Sequence, residues 1–145
     1  MMTKTFCVCL SLMFLVFCAA CARDLVSARM TEPEAYTHIY EAKEKHVLRA
    51  IAAVLKEKKI GENVAIDAKN HRVDSDYVVD GDWRTKTSAR TKQLNWKECE
   101  VRLTVITEKK TDGGWEMRRL LGKSQYENFF SVIELKIYEE MSNVR

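Results

Sequence analysis

Apolar and polar positions change period several times along this chain, and each change predicts an element. Residues 35–41 (AYTHIYE) are rich in aromatic and β-branched side chains and predict a first strand. Residues 42–59 switch to helical spacing. Val47, Leu48, Ile51, Val54 and Leu55 fall on one face, with Lys45, Arg49, Lys56 and Glu57 largely off it. Gly61 suits a helix terminator, because glycine takes positive φ without strain. Residues 63–68 (NVAIDA) predict a short strand, and Lys69-Asn70-His71 a tight turn. Residues 72–83 alternate, with Val73, Tyr77, Val79 and Trp83 on one side and Asp74, Asp76, Asp80 and Asp82 on the other.

Residues 84–93 (RTKTSARTKQ) carry no large apolar side chain, and read as a long exposed loop or as the solvated tips of two strands. Alternation returns at 98–107, where Cys99, Val101, Leu103 and Val105 face inward. Trp96 is out of phase with that set, which suggests a bulge near Lys97. Thr111-Asp112-Gly113-Gly114 is a turn signal, and Trp115, Met117 and Leu121 mark a last strand. Tyr126, Phe129, Phe130, Ile133, Ile137 and Met141 then share one face of a closing helix. Ser124 is its candidate N-cap, and Glu127 completes a capping box. So wide an aromatic face needs a large apolar surface, and a curled antiparallel sheet supplies one. The predicted fold is α+β, in the order β-α-β-β-β-β-α, with one domain over residues 35–145.

The first 20 residues follow another logic. Lys4 is the one charge before a run, residues 6–20, that carries none; small residues close it. This describes a secretory signal peptide, and the run is short for a membrane span. Two cleavage readings stand. Ala20-Cys21-Ala22 fits small-x-small cleavage and a soluble exported protein. Cys18-Ala19-Ala20-Cys21 fits a bacterial lipobox, in which Cys21 receives lipid, although Cys18 stands where leucine is usual. A thioether anchor needs a free thiol at the hydrophobic boundary. Cys21 provides it, which favours the lipoprotein, with residues 21–34 as a lipidated tether. Ala22 lacks the carboxylate of an inner-membrane retention signal, so outer-membrane delivery is implied. Cys99 is then the one cysteine of the mature domain, which excludes an intramolecular disulfide. It reads as a small buried hydrophobe.

Composition narrows the chemistry. Apolar residues at 46% and charged ones at 31% fit a globular domain. A net charge of +3 is too small to indicate nucleic acid, and none is expected as a partner. His38, His46 and His71 form no metal motif, and no phosphate-binding or nucleophile signature occurs. We therefore expect no catalytic residues, no metal and no cofactor. Asp74, Asp76, Asp80 and Asp82 read as a solvated face, since strand neighbours about 6.5–7 Å apart do not easily share one ion. The candidate contact residues are Arg84, Lys86, Arg90 and Lys92, a cluster suited to an anionic surface. No aromatic is interleaved among them, which leaves base stacking without support.

The opening strand and helix (Tyr36 to Lys59), the Asp-rich hairpin (Val64 to Trp83), the strand Cys99 to Thr107 and Tyr126-x-x-Phe129-Phe130 carry a resemblance. The pattern resembles the helix-grip envelope lipoproteins of the NlpB/DapX type, related to β-barrel assembly. The resemblance implies a curled antiparallel sheet gripping the C-terminal helix. It also implies a non-enzymatic lipoprotein, held at the outer membrane by its lipid and facing the periplasm. Its expected partner is an unidentified envelope protein. Two alternatives are a small-molecule or lipid-binding helix-grip protein and an inhibitor of cystatin-like shape. The long closing helix weighs against the inhibitor.

Intact-mass measurement of the mature protein tests the anchor. The wild type is expected to start at Cys21 with acyl mass, and Cys21→Ser to lose that mass. A wild-type chain starting at Arg23 without acyl mass contradicts the assignment.

Overall fold

The computed structural model describes residues 29–143. The signal segment, Cys21 and the first part of the tether lie outside the described residues. Seven strands form one antiparallel sheet: β1 (Ala35–Tyr40), β2 (Glu62–Asp67), β3 (Arg72–Asp76), β4 (Val78–Asp80), β5 (Trp83–Gln93), β6 (Cys99–Thr111) and β7 (Gly114–Arg118). Helix α1 (Glu44–Lys58) follows β1, and α2 (Lys123–Ser142) closes the chain. The fold is α+β, as expected, with two strands more than the sequence pattern implied.

The two longest strands form the spine. β5 and β6 pair from Trp83–Lys109 to Gln93–Cys99 without a register break. At one end β3 joins β5 and β1 joins β6, with β2 outside β3. At the other end β4 joins β5 and β7 joins β6. The predicted strand 72–83 is thus two strands and a turn. Gly81, at φ +57°, makes the bend that returns the chain from Asp80 to Trp83. Consequently Val79 is exposed rather than inward-facing. Residues 29–34 are attached rather than free. Met30 N–H donates to Met117 O (3.0 Å), and Glu34 pairs with Arg119.

Both helices cover the same sheet face, and α1 is the more deeply buried. Its predicted apolar face is buried in full, together with His46, Ala50 and Ala52. From α2, Tyr126, Phe130, Ile133 and Ile137 are buried, while Phe129 is half-buried and Met141 exposed. The closing helix therefore shares the sheet with α1 instead of filling it alone. Its docking is specific. The Tyr126 ring stacks on Tyr36 at 4.2 Å between centroids, and its hydroxyl accepts Val105 N–H (3.1 Å). Phe130 stacks against His38 (5.1 Å), and its carbonyl accepts the Tyr40 hydroxyl (2.9 Å). Lys136 reaches Glu57 (2.6 Å) and Glu139 (2.9 Å), which ties α2 to α1.

The helix ends differ from expectation. Lys59, not Gly61, takes the left-handed position after α1. Gly61 is needed for close approach, because a Cβ there would lie 2.2 Å from Ser75 Cβ. Gly122, not Ser124, is the N-cap of α2. Gln125 Oε1 accepts the Gly122 N–H (3.0 Å), and Glu127 instead pairs with Lys123 (3.7 Å). Trp96 belongs to the hairpin tip between β5 and β6 rather than to a bulge. Cys99 is fully buried and free, and burial pushes its thiol up to about 11.

Denaturant melts check this packing. Phe130→Ala is expected to cost about 3–5 kcal/mol. Leu135→Ala, at a side chain 66% exposed on the outer face of α2, is expected to cost no more than about 0.5 kcal/mol. Gly61→Ala is expected to cost about 1–3 kcal/mol by overpacking against Ser75.

Candidate functional site: the helix-free face of the sheet

Residues 84–93 are not a loop. They form β5, at the centre of the sheet, and their alternation has two meanings. Thr87, Ala89 and Thr91 face the helices and are buried. Small side chains leave room for α1, and the hydroxyls find partners. Thr87 Oγ1 donates to Ile60 O (3.1 Å), and Thr91 Oγ1 to Glu44 Oε1 (2.6 Å). Glu44 also meets His71 Nδ1 (2.9 Å), and its own N–H donates to Gln93 Oε1 (2.7 Å), so the start of α1 is fixed on β5. Ser75 Oγ accepts Thr87 N–H (2.9 Å) where β5 passes from β3 to β4. A strand whose buried side chains are only threonine and alanine can be central because its inward polar groups are satisfied.

The even-numbered residues of β5 face away from both helices: Arg84, Lys86, Ser88, Arg90 and Lys92. All four predicted contact cations therefore share one face, but they do different things. The Arg84 guanidinium lies 4.3 Å from the Tyr77 ring centroid and 4.5 Å from that of Trp115, and its Nε donates to Glu108 (2.5 Å). That guanidinium is a packing element of this face. Lys86 lies over Tyr77 at 4.8 Å. Arg90 is the open one. In register it stands between Arg72 of β3 and Arg102 of β6. Arg72 is paired with Asp67 (3.4 Å) and Asp74 (3.1 Å). Among the described residues, Arg90, Lys92 and Arg102 make no ion pair. A shallow depression of about 290 Å³ lies over this rung, lined by Ser88, Arg90, Arg102 and Thr104.

Arg102 is a site residue that sequence reasoning missed. Its outward phase was readable from the alternation at 98–107, but its place beside Arg90 depends on the β5–β6 register. The four aspartates do not share one strand face. Asp74 accepts Ser88 Oγ (2.8 Å) and meets Arg72; Asp76 accepts Asn63 Nδ2 (3.0 Å). Asp80 ends β4, and Asp82 lies in the turn, where its carbonyl accepts Lys110 N–H (2.7 Å). Among the described residues, no three His, Cys, Asp or Glu side chains are grouped to hold a metal ion. No helix among them is long and apolar enough to cross a membrane. The space at the start of α2, bounded by Val105, Thr107, Met117, Leu121 and Tyr126, is about 10 Å³. The chain matches no protein-family model and no curated protein.

Stability measurements separate the two kinds of arginine. Arg84→Ala is expected to destabilise by about 1–3 kcal/mol, since it removes ring contacts and leaves Glu108 without this donor. Arg90→Ala or Arg102→Ala is expected to be neutral or to stabilise by up to about 1 kcal/mol, because like charges directly opposite oppose folding.

Proposed function

We propose that this chain is a non-enzymatic envelope lipoprotein, anchored through Cys21, that acts by holding an acidic protein against the helix-free face of its sheet. The observation that carries this reading is that Arg90 faces Arg102 and, among the described residues, neither makes an ion pair. By contrast Arg72, opposite Arg90 on β3, and Arg84, further along β5, have carboxylate partners within the domain. Two adjacent cations that no described carboxylate pairs suit carboxylates presented by another chain, and such contacts weaken as salt rises. The helix-grip label is supported by α2 stacking its aromatic side chains on β1. Anchoring through Cys21 would suit the same role, since Cys21 is eight residues before Arg29. That spacing spans at most about 29 Å, which would keep the domain near its membrane.

A ligand cavity gripped under the start of α2 finds less support. A ligand pocket needs about 300 Å³ or more, against about 10 Å³ at the start of α2.

Photo-crosslinking in intact cells tests the contact. A photoreactive residue at Thr104, on the open face, is expected to give a discrete protein adduct. Arg90→Glu with Arg102→Glu is expected to remove it, while a probe at Leu135 on α2 gives none. An adduct unchanged by charge reversal, or no adduct from Thr104, contradicts the proposal. Loss of co-sedimentation with anionic vesicles in the same variant, without any protein adduct, would identify a lipid surface as the partner instead.

A further inference from the structure

A second candidate site lies at one end of the sheet and shares no residue with the open face. The tip between β5 and β6 is rigidly built. Asn95 Oδ1 accepts the N–H groups of Lys97 (2.9 Å) and Glu98 (3.0 Å), and Leu94 N–H donates to Glu98 O (2.9 Å). Gln93 Nε2 donates to the carbonyls of Asn95 (2.6 Å) and Glu98 (2.9 Å), while its Oε1 holds the first turn of α1. This frame presents Trp96 with 75% of its surface exposed, whereas Trp83 and Trp115 are half-buried. An indole so exposed on an ordered turn is poorly explained by packing.

Between this tip, the start of α1 and the last turns of α2 lies a cleft of about 530 Å³. Its size is within the range of small-ligand sites. Trp96 and Met141 supply apolar surface, and Lys43, Lys45 and Lys97 supply charge, with Glu41 the one acid on the wall. Lys97 Nζ lies 4.4 Å from the Trp96 ring centroid. Among the described residues, none of the three lysines makes an ion pair. Lys43, the N-cap residue of α1, makes no side-chain cap hydrogen bond; the Glu44 N–H is held by Gln93 Oε1. His46 also lines the cleft. It is 8% exposed, yet its Nδ1 is buried without a hydrogen-bond partner. Burial, with Lys45 and Arg49 nearby, lowers its pKa.

We propose that this cleft binds a small organic anion with a planar apolar body, such as an aromatic carboxylate. The ring of the ligand lies against Trp96 and Met141. Its anionic group lies between Lys43, Lys45 and the start of α1. This goes beyond the protein-contact reading and does not depend on it.

The test uses 2-naphthoate, with 2-naphthylmethanol and acetate as probes that lack the charge and the ring. The Trp96 indole N–H resonance of the domain is followed by NMR. Naphthoate is expected to shift it saturably, and the other two probes to bind at least about tenfold more weakly. Trp96→Ala is expected to weaken naphthoate binding by about tenfold, read from the Lys45 and His46 amides. The pair Lys43→Gln and Lys45→Gln is expected to weaken it by about threefold to tenfold. Arg90→Ser with Arg102→Ser is expected to leave it unchanged, which separates this cleft from general attraction to cations. Equal binding of all three probes, shifts confined to Trp83 and Trp115, or wild-type affinity in the double lysine variant would overturn the proposal.

Discussion

The continuous pairing of β5 with β6 sets the position of every other element. Neither strand breaks register between Trp83–Lys109 and Gln93–Cys99, so the pair forms a long ribbon with a free flank on each side. Shorter strands fill those flanks two at a time, β3 and β4 along β5, β1 and β7 along β6. The helices then need one face only. α1 lies over the β5 side, where Thr87, Ala89 and Thr91 are small, and α2 lies over β1 and beside α1. Large side chains at those three positions would displace α1, and without α1 most of the buried apolar surface would be lost.

The ribbon also separates stability from binding. Its helix-facing residues are buried and satisfied, so changes there act on folding. Its outward residues are half-buried or exposed, and they divide again. At the β4–β7 end, Arg84 is consumed by Tyr77, Trp115 and Glu108. At the β3–β1 end, Arg90 and Arg102 stand opposed, without an ion pair among the described residues. A surface that tolerates such an opposition loses up to about 1 kcal/mol by it. The chain enters at residue 29 beside β7, and the Trp96 tip lies beyond the other end of β6. From Thr107 to Cys99 is eight residues, about 27 Å along a strand.

What could be read from the sequence follows the size of the side chains. α1 was legible because five large apolar residues keep helical spacing, and all five are buried. The strand at 98–107 was legible because Cys99, Val101 and Leu103 alternate with polar residues. β5 was not, because hydrophobicity cannot mark a strand whose buried side chains are threonine and alanine. Its signal was the strict alternation of small with basic or hydroxyl residues, together with the β propensity of threonine. The split between β4 and β5 had a local signal in Asp80-Gly81, hidden by the apparent alternation across it. Of the four candidate contact residues, the shared face of the cations was implicit in that same alternation. The consumption of Arg84 and the facing of Arg90 by Arg102 depend on neighbouring strands, which no single segment encodes.

β5 is a core strand, and the outward cations at its β3–β1 end, Arg90 and Lys92, are with Arg102 of β6 free of structural duty. Hydrogen exchange along residues 85–91 measures both halves of that statement at once. In the wild type, the Ala89 and Thr91 amides are predicted to be as protected as those of Val101 and Leu103. The same protection is predicted after Arg90, Lys92 and Arg102 are all replaced by serine. Rapid exchange across residues 85–91 in the wild type, or protection lost in the triple variant, would contradict the account.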